Sequence, residues 1–328
     1  MIDLQPILEA VRTAAILTRR VQRAHFASSH KAGREPVTIA DYGSQAILGR
    51  TLARAYPEDA VLAEERGEQF MALVSDSDRA QVVRLVSDVL GEPVTEAQIV
   101  AWLDHGRGRD SARAWLVDPI DGTLGFIALR RYSIAVGVVE RGLPIAGVLG
   151  SPGYPSADGF GLLFHGQGSA AYAEPLNPNH QARPARIAVA GRRKSAGMRV
   201  VESVEGANAD LEAAQRVYQA LGIRPANVHG VDSQDKYAMV ACGDADLYMR
   251  LPVSADYTHR AWDHAAGTAL VHAAGGVVTD LDGTPLDFSH GAVLPNNRGM
   301  IISSGHAHDQ VVEAVQALWN QPPTDVLE

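Results

Sequence analysis

The segment Trp115-Leu116-Val117-Asp118-Pro119-Ile120-Asp121-Gly122-Thr123 ends an apolar run in two aspartates three residues apart. Carboxylates at the end of a buried strand project into a shared cleft, and Pro119 restricts the turn between them. Oxygen donors placed this way suit Mg²⁺, a hard cation that prefers near-octahedral oxygen ligation. Gly122 and Thr123 add small side chains and free backbone N–H groups, which can hold a phosphate oxygen. The plainer alternative is a strand followed by an Asx-type turn that caps a helix.

Four more acids stand at three similar junctions. Ala63-Glu64-Glu65 places adjacent carboxylates after a short apolar run, one toward a cleft and one toward solvent, or both on a solvated strand end. Trp262-Asp263-His264-Ala265-Ala266-Gly267 sets an aspartate just before an Ala-rich, close-packing helix, where Asp also serves as an N-cap. Val37-Thr38-Ile39-Ala40-Asp41 puts a fourth acid at a helix start, with the same capping alternative.

The elements that must carry these acids can be read from apolar periodicity. Leu4, Ile7, Leu8, Val11, Ala14, Ala15 and Leu17 predict an amphipathic helix within residues 3–27. A polar stretch from Ser28 to Glu35 precedes a second helix, expected from Ser44 to Ala55 and stopped by Pro57. Ala60–Ala63 reads as a short strand, residues 70–110 as an inserted helical excursion, and Trp115–Val117, Tyr132–Val139 and Ile145–Leu149 as strands. Short strands with glycine turns are expected across 159–173. The Pro- and Asn-rich stretch Pro175–Pro184 marks a domain boundary. Beyond it, strands at Ile187–Ala190, Val200–Val204, Leu247–Leu251 and Val277–Thr279 alternate with helices at Ala209–Leu221, His264–Ala274 and Ala307–Leu318, a layered α/β pattern.

The chain of 328 residues carries 29 basic and 38 acidic side chains, a formal charge of −9 that argues against a nucleic-acid backbone as the natural partner. A small phosphorylated substrate remains compatible, because bound cations reverse the local sign. Cys242 is the sole cysteine, so no intrachain disulfide can form. Glu9, Arg12, Arg19 and Arg20 interrupt the N-terminal apolar pattern as no signal peptide would, and no apolar run approaches a membrane span. The expectation is a soluble, cytoplasmic protein that binds neither nucleic acid nor membrane.

Glu64-Glu65, then Asp118-Pro119-Ile120-Asp121-Gly122-Thr123, then Trp262-Asp263 together resemble the inositol monophosphatase superfamily over about residues 7–305. Within it, the chain is most similar to the 3′(2′),5′-bisphosphate nucleotidases. Pro36-Val37-Thr38 leading to Asp41-Tyr42 looks like their first motif. Asp232-Ser233-Gln234 with Lys236-Tyr237, and Asp246 to Pro252, look like their nucleotide-binding stretch.

The resemblance implies a layered α/β/α/β/α sandwich of the inositol monophosphatase and fructose-1,6-bisphosphatase type. Residues 1–180 would hold most metal ligands, and residues 181–328 would supply the late Asp and the substrate-binding groups. It implies two or three Mg²⁺ per site, held by Glu64, Asp118, Asp121, Asp263 and the Ile120 carbonyl. Asp41 and Thr123 would orient and deprotonate the attacking water, while Gly122, Thr123, Ser233, Lys236 and Arg250 would bind substrate. The implied reaction converts adenosine 3′,5′-bisphosphate to AMP and phosphate, with 3′-phosphoadenylyl sulfate as a second substrate, in a lithium-sensitive monomer or homodimer. An inositol or sugar phosphate is the alternative substrate.

Two positions depart from the nucleotidase pattern. Leu124 stands where a lysine is usual, leaving Arg130 or Arg131 to supply the charge, and Val204-Glu205-Gly206-Ala207-Asn208-Ala209 lacks the usual His and Ser. Elsewhere the plain readings hold: His264 and His272 as packing or hydrogen-bonding histidines, Cys242 as a small buried residue, and Asp280-Leu281-Asp282-Gly283 as a turn.

Overall fold

A computed structural model describes residues 1–27, 35–180, 182–191, 194–204, 209–254 and 256–319. Helix α1 (Gln5–Ala27) buries Ile7, Val11, Ala14 and Leu17 along the predicted stripe. Its neighbour α2 (Glu35–Ala55) begins well before the expected Ser44. Pro36 falls in the first turn, where a missing N–H breaks no helical bond. Asp41 therefore lies inside the helix rather than at its start.

After β1 (Ala60–Ala63) comes the expected helical excursion, α3 (Gly67–Leu73), α4 (Asp76–Leu90) and α5 (Glu96–Leu103). The Ser75 hydroxyl caps α4, and Thr95 with Gln98 forms a capping box on α5. Phe70, Val82, Val86 and Ile99 join the core formed with α1 and α2.

A seven-stranded sheet follows the chain in order: β1, β2 (Arg113–Asp121), β3 (Ser133–Glu140), β4 (Leu143–Ser151), β5 (Leu162–Gln167), β6 (Ala170–Pro175) and β7 (Ala185–Ile187). Helix α6 (Thr123–Ile127) connects β2 to β3. The β1–β2 pair is parallel and the others are antiparallel. The strand expected at 187–190 starts earlier and ends at Ile187, because Ala171 to Ala173 of β6 offer it an edge to pair with. The chain thus returns to the first sheet once after the Pro- and Asn-rich stretch.

The second sheet has the order β12-β14-β10-β8-β9, built from β8 (Val200–Glu202), β9 (Val228–Gly230), β10 (Leu247–Arg250), β12 (Val277–Thr279) and β14 (Met300–Ser303). Strands β11 (His259–Arg260) and β13 (Val293–Leu294) form a small ribbon. Helices α8 (Asp235–Ala241) and α9 (Trp262–Ala273) lie between the two sheets, and α7 (Leu211–Ala220) and α10 (His308–Trp319) cover the outer face of the second. With α1 and α2 outside the first sheet, the layers are α/β/α/β/α, as expected.

The middle layer is tight because its contact residues are small. A Cβ added at Gly137 of β3 would lie 2.7 Å from the Ala265 Cβ, and one at Gly166 of β5 would lie 2.8 Å from that of Ala273. Helix α9 therefore rests close against the first sheet, fixing the height at which its first turn meets the end of β2. Among the described residues, no helix is long and apolar enough to cross a membrane.

Candidate active site

A cavity of about 280 Å³ opens where the ends of β1 and β2 meet the start of α9, the turn before α8 and the end of β10. The parallel β1–β2 register runs on past Ala63, with the Glu64 amide donating to the Val117 carbonyl at 3.3 Å. Gln45 of α2 grips Glu65 by both backbone groups, donating to its carbonyl at 2.7 Å and accepting from its amide at 2.8 Å. Glu64 is left lining the cavity.

Strand β2 extends through the aspartates instead of stopping at Val117, and its pairing with β3 shifts register between Asp118 and Asp121. Pro119, which has no N–H for the ladder, stands in that irregularity. Asp118, Asp121 and Ile120 all line the cavity. Asp118 is nearly inaccessible, and its Oδ1 accepts from the Ile120 amide at 3.2 Å.

Asp263 joins them from the first turn of α9. The helix begins at Trp262 with Ala261 as its cap residue and no side-chain capping bond, so Asp263 is not the N-cap. Its carboxylate faces the cavity, 3.8 Å from Arg250. Asp41 lies buried behind Glu64 and Glu65 rather than on the cavity lining.

The carboxylates raise one another's proton affinity. Burial, then Glu65, Asp263 and Asp121, push Glu64 up to about 8. Asp118 is raised well above the usual range by burial and then by Glu64, Asp121, Asp263 and Asp41. Asp263 rises to about 7, mainly through burial, and Asp41 is raised by burial and by Glu64 and Glu65. Such a cluster favours protons or cations between its members.

Among the described residues, no three acidic, histidine or cysteine side chains close a metal shell on their own. A Mg²⁺ centre commonly draws on one or two carboxylates together with carbonyls, waters and substrate phosphate. The cavity offers two aspartates, Glu64, Asp263 and the Ile120 carbonyl for that purpose, with no soft ligand among them.

Gly122 has φ +89°, and a Cβ there would lie 2.9 Å from that of Ser233. Only glycine satisfies both constraints. Thr123 opens α6 and is exposed at the cavity, its hydroxyl 3.5 Å from the Ile120 carbonyl.

The opposite wall is cationic. Lys236 is buried, donates to the Val231 carbonyl at 2.9 Å, and has its pKa lowered to about 8 by burial against the pull of Asp121. The Arg250 guanidinium reaches Tyr257 Oη at 2.7 Å and His264 Nε2 at 3.4 Å. Burial opposes its charge, but Tyr248, Asp263 and Tyr257 more than offset this. His264 is fully buried, held neutral by burial and Arg250, and takes a 2.9 Å hydrogen bond with Tyr237, which makes it a packing group.

Gln234, part of the expected nucleotide-binding stretch but given no role, and Ser203, not expected at all, also line the site. The Gln234 amide donates to Asp121, while its side chain donates to the Trp262 carbonyl and accepts from the Gly267 amide, both at 3.1 Å. It thereby ties β2 to the start of α9. Its place beside Ser233 and Lys236 was the available signal; Ser203, a lone serine after a short strand, offered none.

Leu124, half-exposed, lines the rim. Arg130 forms a 2.7 Å ion pair with Asp232, whereas Arg131 turns away to Tyr154 and Asp235. Asn208 lies outside the described residues. Cys242 contacts Tyr154 Oη at 3.2 Å, and burial raises its thiol to about 11, so it is no nucleophile.

Residues 3–320 match the inositol monophosphatase family, and the chain belongs to that family. It is 33% identical over 339 residues to a 3′(2′),5′-bisphosphate nucleotidase of Emericella nidulans, covering 94% of this chain and 95% of the relative. A 3′(2′),5′-bisphosphate nucleotidase of Schizosaccharomyces pombe is 30% identical over 342 residues, covering 97% and 96%. In three dimensions the chain is similar to an inositol monophosphatase from Anabaena, with a TM-score of 0.62, 22% identity and coverage of 99% and 100%, a likeness of fold.

Proposed function

We propose that this chain is a Mg²⁺-dependent 3′(2′),5′-bisphosphate nucleotidase that hydrolyses adenosine 3′,5′-bisphosphate to AMP and phosphate, with 3′-phosphoadenylyl sulfate as a second substrate. The observation that carries the reading is the pair of buried cations, Lys236 and Arg250, facing the carboxylate wall across one cavity. A substrate with two phosphates can be held at one while it reacts at the other. Relatives that bear this activity in their names align along nearly the whole chain.

In this reading Glu64, Asp118, Asp121, Asp263 and the Ile120 carbonyl hold two or three Mg²⁺. Bound there, Mg²⁺ would supply charge neutralisation for the phosphate and lower the pKa of the attacking water. Thr123 lines the cavity where that water would be held, whereas Asp41, expected to take its proton, is buried off the lining beside Glu64 and Glu65. The N–H groups of Gly122 and Thr123 bind the reacting phosphate. Lys236 acts as a point charge and Arg250 as a planar fork on the nucleotide and its second phosphate. Residues 1–180 thus supply the hydrolytic half, and residues 181–328 add Asp263 and the recognition groups. The enzyme works in the cytoplasm on a small soluble substrate, as a monomer or homodimer.

A second reading, an inositol or sugar phosphate substrate, is favoured by half-exposed Leu124 at the rim, which offers no charge to a second phosphate. Phosphate release with Mg²⁺ from adenosine 3′,5′-bisphosphate, inositol 1-phosphate and fructose 1,6-bisphosphate separates the two. Clear preference for the nucleotide is expected, and equal or better turnover of inositol 1-phosphate overturns the nucleotide assignment.

A further inference from the structure

The turn before α8 contains a chain of hydroxyls whose proton order can be worked out. Ser233 adopts φ +63°, rare for a residue with a side chain, and lines the cavity although only 8% of it is exposed. Its Oγ lies 2.9 Å from the Oγ of Ser133, the first residue of β3. Ser133 Oγ also lies 2.9 Å from Asp235 Oδ1, and the Asp235 amide donates back to Ser233 Oγ at 3.2 Å.

Asp235 is fully buried. Burial raises its carboxyl to about 6, which leaves it ionised at neutral pH. A carboxylate only accepts hydrogen bonds. The single Ser133 proton must then go to Asp235, so the Ser133–Ser233 contact must use the proton of Ser233. One Ser233 lone pair takes the Asp235 N–H. What Ser233 has left for the cavity is a second lone pair, an acceptor without a donor. A phosphate dianion also only accepts, and it would meet that lone pair as a repulsion.

We infer that Asp235 is a positioning residue which, through Ser133, fixes Ser233 as a hydrogen-bond acceptor, so that Ser233 recognises a donor on the nucleoside, a ribose hydroxyl or a base amine, and not a phosphate oxygen. This rests on the nucleotidase reading and sharpens it. Phosphate is left to Lys236, Arg250 and the N–H groups near Gly122, while Ser233 tests a hydroxyl or amine donor on the nucleoside.

The test measures kcat and KM for wild type, Ser233→Ala and Asp235→Asn on three ligands. These are adenosine 3′,5′-bisphosphate, its 2′-deoxy analogue and its 6-deamino analogue. Losing the donor that meets Ser233 should raise the wild-type KM about three- to tenfold, the effect of one unmade hydrogen bond, with kcat little changed. The analogue that responds identifies the ribose or the base. Ser233→Ala should erase that discrimination. Asp235→Asn, whose amide can donate as well as accept, should let the proton order reverse and reduce the discrimination while the fold holds. A Ser233→Ala penalty equal on all three ligands, or an Asp235→Asn variant with full discrimination, overturns the inference. Failure of the wild type to hydrolyse any of the three nucleotides while it hydrolyses inositol 1-phosphate removes the nucleotidase reading, and the inference with it.

Discussion

The carboxylate wall and the cationic wall face each other across one cavity, yet they are held there by different means. Glu64 follows the end of β1 while Asp118 and Asp121 lie on adjacent β2, and strand pairing and one irregularity in β2 bring them together. Lys236 and Arg250 come from a helix and a strand of the second sheet, and side-chain polar contacts aim them, among them those with the Val231 carbonyl, Tyr257 and His264. The first wall is a property of the backbone ladder and should tolerate the loss of one side chain. The second depends on individual side-chain contacts. Burial shifts the two walls in opposite directions: it raises Glu64, with neighbouring carboxylates adding to the rise, and it lowers Lys236, with Asp121 opposing and Arg250 adding to the fall.

The largest effect expected is on the first wall. Asp121→Asn should lower kcat on the order of 10²–10³-fold, since it weakens charge stabilisation at the reacting phosphate. The fold should survive, because the substitution also relieves crowding among like charges. Circular dichroism and phosphate release on the same sample check both halves, and near-normal activity would remove Asp121 from the site.

On the second wall, Lys236→Met should raise KM for adenosine 3′,5′-bisphosphate on the order of 10–100-fold while kcat changes less, the scale of a charge-assisted hydrogen bond. A drop in kcat at unchanged KM would place Lys236 with the hydrolytic groups instead.

Thermal unfolding against pH tests the opposed signs. For metal-free protein, Glu64 at about 8 and Asp263 at about 7 lie above ordinary carboxylates, so their stabilising contribution is complete at low pH. It is lost as pH rises from the carboxylate range through those values. Mg²⁺ should therefore raise Tm more at pH 8 than at pH 5. On the cationic side, His259 is fully buried and its pKa is lowered to about 4 by burial and then Arg250. Its contribution is complete above its unfolded value and is lost as pH falls from about 6.5 to about 4, up to about 3 kcal/mol. Replacing His259 by Gln should flatten that acid limb, and an unchanged limb would show that other groups cause it.

The smallest effect expected is at the rim. Leu124→Lys adds an exposed charge beside the cavity and should lower KM for the nucleotide only a fewfold, since exposed pairs are worth little. Raising the salt concentration should cancel the gain. A gain that persists in high salt would mean the new ammonium is desolvated on the ligand.

The acids were legible because each stands at the end of a local signal. An apolar run followed by Asp118-Pro119-Ile120-Asp121-Gly122-Thr123 needs no partner to be recognised, and the small residues of α9 announced a close-packed helix. Boundaries were less legible. The start of α2 was missed because Pro36 reads as a breaker unless its place in the first turn is known. The last step of β7 was missed because an edge strand of three residues gains its stability from β6, far less from its own sequence.

Residue types, spacing and the family resemblance determined the layered fold, the candidate ligand set and the cationic stretch. Tertiary structure decided which way those groups act. Gly122 is required by Ser233, which is more than a hundred residues away. Gln234 joins Asp121 to the start of α9, and the direction of the Ser233 proton is set by Ser133 at the start of β3. The physical reason is that strand and helix signals are local and repeat along the chain. Hydrogen-bond direction, burial and charge coupling instead depend on whichever distant groups the folded chain brings within about 3 Å.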